Sequence, residues 1–126
     1  MTSDATPGRQ RFPRAVYDVG DEPDPRLSLA NERTFLAWIR TALALLAGGL
    51  ALDAFEVPID ATLRGVAAFT LLLLGVLAAL QAWFGWIRTE RAMREGRPLG
   101  PPRTALVIVV GLVVAAIAVA VGVALR

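Results

Sequence analysis

The residues of this chain with the most to offer chemically are arginines set among apolar neighbours. Residues 30–44 read ANERTFLAWIRTALA, in which Asn31, Glu32, Arg33 and Arg40 alternate with Phe35, Leu36, Trp38 and Ile39. Arg26, Arg33 and Arg40 recur every seven residues, a spacing that keeps three guanidiniums on one stripe of a helix with only about 20° of drift per step. Arginine forks pair with phosphate and carboxylate oxygens, so the chemistry on offer is anion binding. Catalysis is poorly supplied. The chain has no Cys and no His, which removes thiolate ligands, disulfides and the commonest general base and metal ligand. Glu32 and Glu90 alone define no acid–base site, and no phosphate loop, zinc-protease or nucleophile motif occurs. The expectation is a protein that is not an enzyme and takes no metal and no cofactor.

Hydrophobic residues make up 56% of the 126 and the mean hydropathy is +0.56, well above a soluble domain of this size. Residues 65–87 and 104–125 carry no charge, and each exceeds the roughly 20 residues a helix needs to cross about 30 Å of hydrocarbon. A third segment is interrupted by Arg40, and its uncharged part, residues 41–52, covers only about 18 Å. It spans only if Arg40 is accommodated; the alternative is two spans and a buried re-entrant helix, whose backbone must then satisfy its own hydrogen bonds. The reading adopted is all-α, a three-helix transmembrane domain over residues 24–126 with spans near 34–54, 64–87 and 104–125. Residues 1–23 read as a disordered tail, rich in Pro, Gly, Asp and Arg, with Phe12, Val16 and Tyr17 as anchors to the membrane interface. Asp24 followed by Pro25 has the form of an N-cap and first helical residue, with Ser28 as a competing cap.

All thirteen basic residues are arginine, and they are segregated. Five precede the first span and five (Arg88, Arg91, Arg94, Arg97 and Arg103) lie in the second connection, against Arg64 alone in the first connection and Arg126 alone at the C-terminus. The positive-inside rule then puts the N-terminus and second connection in the cytoplasm and the C-terminus outside, in a multi-pass membrane protein. Arginines within reach of a membrane face make nucleic acid an unexpected partner.

The stripe of Arg26, Arg33 and Arg40 has two readings. In one, Arg26 and Arg33 lie at the headgroups and Arg40 snorkels back towards them. In the other the stripe faces a water-accessible centre formed by several copies of the helix, since an ionisable residue in a span generally faces protein and has a role. The second requires a homo-oligomer, because one three-helix chain has little interior of its own. Small residues fit association: Gly111, Ala115, Ala118 and Gly122 repeat at spacings of four, three and four, and small faces let backbones approach closely in lipid. Trp83 and Trp86 suit an interfacial aromatic belt. Beyond them the second helix continues as WIRTERAMREG, where Glu90 with Arg94 and Arg91 with Glu95 stand four apart in pairing order, Gly96 ends the helix, and Thr104 is placed to cap the third. Arg88, Arg91 and Arg94 join the first-helix arginines in a basic collar, which attracts either anionic lipid or a polyanion.

The motifs SLANERTFLAWIRTALALLA and WIRTERAMR resemble the YidH-like small bacterial inner-membrane proteins, domain-of-unknown-function family 202. The resemblance covers residues 24–125. This family is distantly similar to the small three-helix subunit of the fungal vacuolar transporter chaperone, and that likeness implies units assembled side by side, five in that complex, around a polyphosphate conduit. It also implies that Arg26, Arg33 and Arg88 match basic positions along the polyanion path, whereas Arg40 matches a neutral one. No polymerase or SPX domain is present, so synthesis is not implied. The lead expectation is a homo-oligomer, a pentamer by that resemblance, whose basic surface binds or conducts phosphate or polyphosphate. The alternative is an accessory or scaffold subunit of another membrane complex, its arginines on lipid headgroups.

Overall fold

The computed structural model describes residues 11–126, all helix and connection, with no strand among them. A single turn, α1 (Arg14–Tyr17), precedes three long helices: α2 (Pro25–Ala54), α3 (Ala61–Glu95) and α4 (Arg103–Ala124). All three are long and apolar enough to cross a membrane. Their ends follow local chemistry. Asp24 caps α2 by accepting from the Arg26 amide at 2.9 Å, ahead of Pro25, and Asp60 caps α3 by accepting from the Leu63 amide at 3.0 Å. Gly96 ends α3 in the left-handed conformation, φ +67°, which lets the Arg97 amide return to the Ala92 carbonyl at 2.8 Å. Thr104 does not cap α4, which starts one residue earlier, at Arg103. Its hydroxyl is committed to the Gln81 side chain at 2.9 Å.

The helices stand in a row with α3 in the middle. α2 and α4 each pack along α3 and share no interface with one another. The packing is set by small residues. A side chain at Gly75 would meet Leu46 and the Ala42 carbonyl, and one at Gly49 would meet the Ala68 carbonyl, so α2 and α3 run antiparallel with backbones nearly in contact. The small stripe of α4 is turned towards its own chain: Ala115, Ala118 and Gly122 are buried, and a Cβ at Gly111 would sit 2.6 Å from Leu74. Ala42, Leu45, Leu74, Ala78 and Ile108 form the central cluster. Outside it the row exposes large apolar side chains such as Leu43, Leu50, Phe69, Leu73 and Ile117, as a surface facing lipid must.

Helix lengths do not match. At about 1.5 Å per residue α4 is some 33 Å long, about a bilayer core, whereas α3 reaches about 52 Å. Thr104 lies level with Gln81, so the last fourteen residues of α3 extend past the start of α4, beside the first turns of α2. This two-helix head holds Arg26, Arg33, Arg88, Arg91 and Arg94. Residues 97–102 run back down it to reach α4.

Residues 1–10 of the expected tail lie outside the described residues. The rest folds back onto the head. Val16 is fully buried, Phe12 stacks on Trp83 at 6.2 Å and Tyr17 meets Trp86 at 6.4 Å. Gly20 has φ +57° and lies so close to the Arg94 carbonyl that a Cβ would overlap it; the Asp21 amide donates to that same carbonyl at 3.0 Å. Of the three side chains expected at the membrane interface, Val16 and Tyr17 thus turn to the head, whereas Phe12 stacks on Trp83 by one face and stays 81% exposed.

Candidate anion-binding surfaces

Where α2 leaves the apolar row and enters the head, its contact with α3 turns polar. Asn31 and Glu90 are buried, at 6% and 3% exposure. The Asn31 amide donates to the Trp86 carbonyl and to Glu90 Oε1, both at 3.1 Å, and the Ser28 hydroxyl donates to Glu90 Oε2 at 3.2 Å. Ser28 is therefore an interhelical donor and not a cap. Glu90 and Arg94 do not pair, although four residues separate them. Arg94 turns to the N-terminal segment, donating to the Val19 carbonyl at 2.8 Å, Glu22 at 3.2 Å and the Tyr17 carbonyl at 3.3 Å. Arg91 does meet Glu95, at 3.5 Å. Asn31 is the residue whose role the sequence hid: on paper it is one polar position among several, and only its partner across the helix pair distinguishes it.

That contact fixes the rotation of α2, and with it the arginine stripe. Asn31, Ala42, Leu45 and Gly49 face α3. Arg33 and Arg40 stand two residues on from Asn31 and Trp38, about 200° round the helix, so Arg26, Arg33 and Arg40 point away from the rest of the chain and all three are exposed. Among the described residues none of them is in an ion pair, and Glu32 has none either. Arg40 lies within a turn of the crossing of Ala42 and Gly75, beyond the level of Trp83, in the apolar part of the row. Arg88 is not on this face; its Nη2 donates to Gln81 at 2.9 Å. One chain does not bring it to the stripe.

Glu22 ties the N-terminal segment down. Arg11 engages it through both nitrogens, at 3.0 and 2.6 Å, and Arg94 adds a third contact. The Arg11 hydrogen bond, with Arg94 contributing against partial desolvation, holds the Glu22 carboxyl down at about 2, from an ordinary 4.5. A depressed acid stabilises the docked form fully above its unfolded value and loses that contribution as pH falls through the folded one. The Glu22 side chain is 61% exposed, so solvent screens the effect. Tryptophan fluorescence from the head should accordingly stay constant at neutral pH and change between about pH 4.5 and 2, and Glu22→Gln should flatten that acid transition.

Three antiparallel apolar helices with a basic head at one end define a multi-pass α-helical membrane protein. Residues 26–92 match the family described as "Domain of unknown function (DUF202)", and the chain belongs to that family. It is 42% identical over 108 residues to inner membrane protein YidH of Escherichia coli K12, aligning 82% of this chain with 90% of that protein; YidH of Shigella flexneri gives the same figures. It is 44% identical over 96 residues to the uncharacterized protein Rv2272 of Mycobacterium tuberculosis H37Rv, 74% of this chain and 77% of that one. No solved structure matches it. The chain is a multi-pass inner-membrane protein. The family match takes in α2 and α3 as far as Ala92, and so contains both the arginine stripe and the Asn31–Glu90 contact.

Proposed function

We propose that this protein is a non-enzymatic homo-oligomer of the inner membrane in which copies bring their α2 faces together around a basic surface that binds or conducts phosphate or polyphosphate. The head lies in the cytoplasm and the C-terminus outside. What carries the reading is the exposure of Arg40 on a span, on the face turned away from its own chain. A charge costs about 2.5–3.5 kcal/mol at the centre of a span on insertion scales and less towards its end, where Arg40 lies, and a neighbouring copy with water or anions between the stripes relieves that cost. Arg33 and Arg26 continue the same line outwards, so an anion entering from the head meets successive guanidiniums.

The row arrangement also favours a second reading, in which the exposed faces of α2 and α4 pack against another membrane protein and the arginines hold lipid headgroups. The two separate on purified protein. For the first, native mass spectrometry in detergent should give a discrete homo-oligomer, thermal stability should rise with polyphosphate and less so at high salt, and reporters after Arg126 and within residues 91–100 should register opposite sides. A monomer with no response to polyphosphate would leave the scaffold reading in its place.

A further inference from the structure

The row leaves a cleft on one side of α3, between α2 and the start of α4. It has a volume of about 860 Å³, and its lining includes Arg88, Arg91, Arg97 and Arg103 but no carboxylate. The stripe residues Arg26, Arg33 and Arg40 do not line it. A second cavity of about 530 Å³ under the N-terminal segment is a contrast, for it sets Glu22, Glu32 and Glu90 against Arg11 and Arg94. From outside the first cleft Glu95 reaches Arg97 at 2.6 Å and Arg91 at 3.5 Å, one carboxylate against four guanidiniums. The Nε of Arg91 is buried with no hydrogen-bond partner among the described residues. Arg103 occupies the first position of α4, where the helix dipole disfavours a cation, so local helix stability does not account for it.

We infer that this cleft is a built site for the phosphate of an anionic phospholipid. Phosphate is the group whose oxygens several guanidiniums satisfy together, and a basic pocket between spans at the arginine-rich side is the usual seat of such headgroups. Lipid is favoured over a free anion by what lies beneath and beside the arginines. Trp38 and Trp86 share the lining, as side chains do at headgroup depth. Below Thr104 α2 and α4 share no interface, and the spans present exposed aliphatic side chains to the surrounding acyl chains. The site is distinct from the α2 stripe in both residues and face, and it stands whether or not that stripe binds anions.

The full-length protein in nanodiscs or mild detergent tests this. Wild type should retain cardiolipin or phosphatidylglycerol through delipidation, read by native mass spectrometry, and its melting temperature should rise with these lipids and not with phosphatidylcholine. Arg91→Gln with Arg103→Gln should weaken retention by about fivefold for each arginine removed, with helicity by circular dichroism unchanged, while Lys at both positions restores part of it and Arg33→Glu leaves it intact. Arg97→Gln, on an exposed side chain, provides a milder variant should the double one fold poorly, and it too should lose retention. Undiminished retention in Arg97→Gln and the double variant would overturn the proposal. So would equal stabilisation by inorganic phosphate or short polyphosphate acting through the same arginines, which would assign the cleft to a free anion.

Discussion

Replacing Asn31 with Leu should destabilise the protein by about 1–3 kcal/mol, the range for a buried polar group deprived of its partner. Among the described residues the amide of Asn31 is the one donor that reaches Glu90 Oε1, in a helix interface where Glu90 is 3% exposed. Leu has the same branching and the same number of side-chain heavy atoms but is bulkier, so the change removes a donor without opening a cavity. The loss then falls on the stranded carboxyl. If this is the mechanism, removing the carboxyl as well should recover most of it: Asn31→Leu with Glu90→Leu should be more stable than Asn31→Leu alone, because an apolar pair of matching shape replaces a satisfied polar pair at small net cost. Thermal unfolding in detergent across the four proteins of the cycle measures the coupling. Additive effects would mean that the two side chains do not act as a unit. Because this contact also sets how α2 is rotated on α3, Asn31→Leu should blunt any response that depends on where the arginine stripe points.

The second large effect is expected at Arg33. In an oligomer with the stripes facing a common axis, each copy contributes the same charge to a ring, and bound anions relieve the repulsion. Arg33→Glu converts the ring nearer the head from attractive to repulsive for anions, so stabilisation by polyphosphate should disappear altogether, with membrane insertion preserved because Arg33 lies near the level of the tryptophans. Arg40→Leu should act differently. It should ease insertion of the span while lowering anion stabilisation or conductance without abolishing it. The comparison is the melting temperature of wild type and the two variants, with and without polyphosphate, at two salt concentrations. Equal shifts in all three would remove the axial ring and leave Arg40 as a snorkelling residue, whose behaviour should then follow lipid composition.

Much of the molecule is readable along the chain. The number of long apolar helices, the cap at Asp24 with Pro25, the glycine stop at Gly96 and the seven-residue phase of Arg26, Arg33 and Arg40 all rest on neighbours within a turn or two, and local rules govern them. The N-terminal segment illustrates the opposite case. Its composition is that of a tail, and what holds it is a set of contacts with residues more than seventy positions away, above all the Arg94 side chain to Val19, Tyr17 and Glu22. Arg94 in turn has a local partner four residues back, and the pairing rule for exposed helices selects it. The structure does not, because Glu90 is turned inward and already accepts from α2.

What the sequence by itself determined, then, is how many long helices there are, where α2 starts and α3 stops, and which side chains share a face of each. Which face meets which neighbour was decided only by the tertiary structure. The reason lies in the solvent. In water an amphipathic helix announces its buried side, but in lipid both sides of a span are apolar, and the periodic signal that separates inside from outside is lost. Rotation is then set by where backbones can come closest, at Gly49 and Gly75 between α2 and α3 and at Gly111 between α3 and α4, and by the polar contact of Asn31 with Glu90. Those contacts turned the small stripe of α4 onto its own chain and the arginines of α2 away from it.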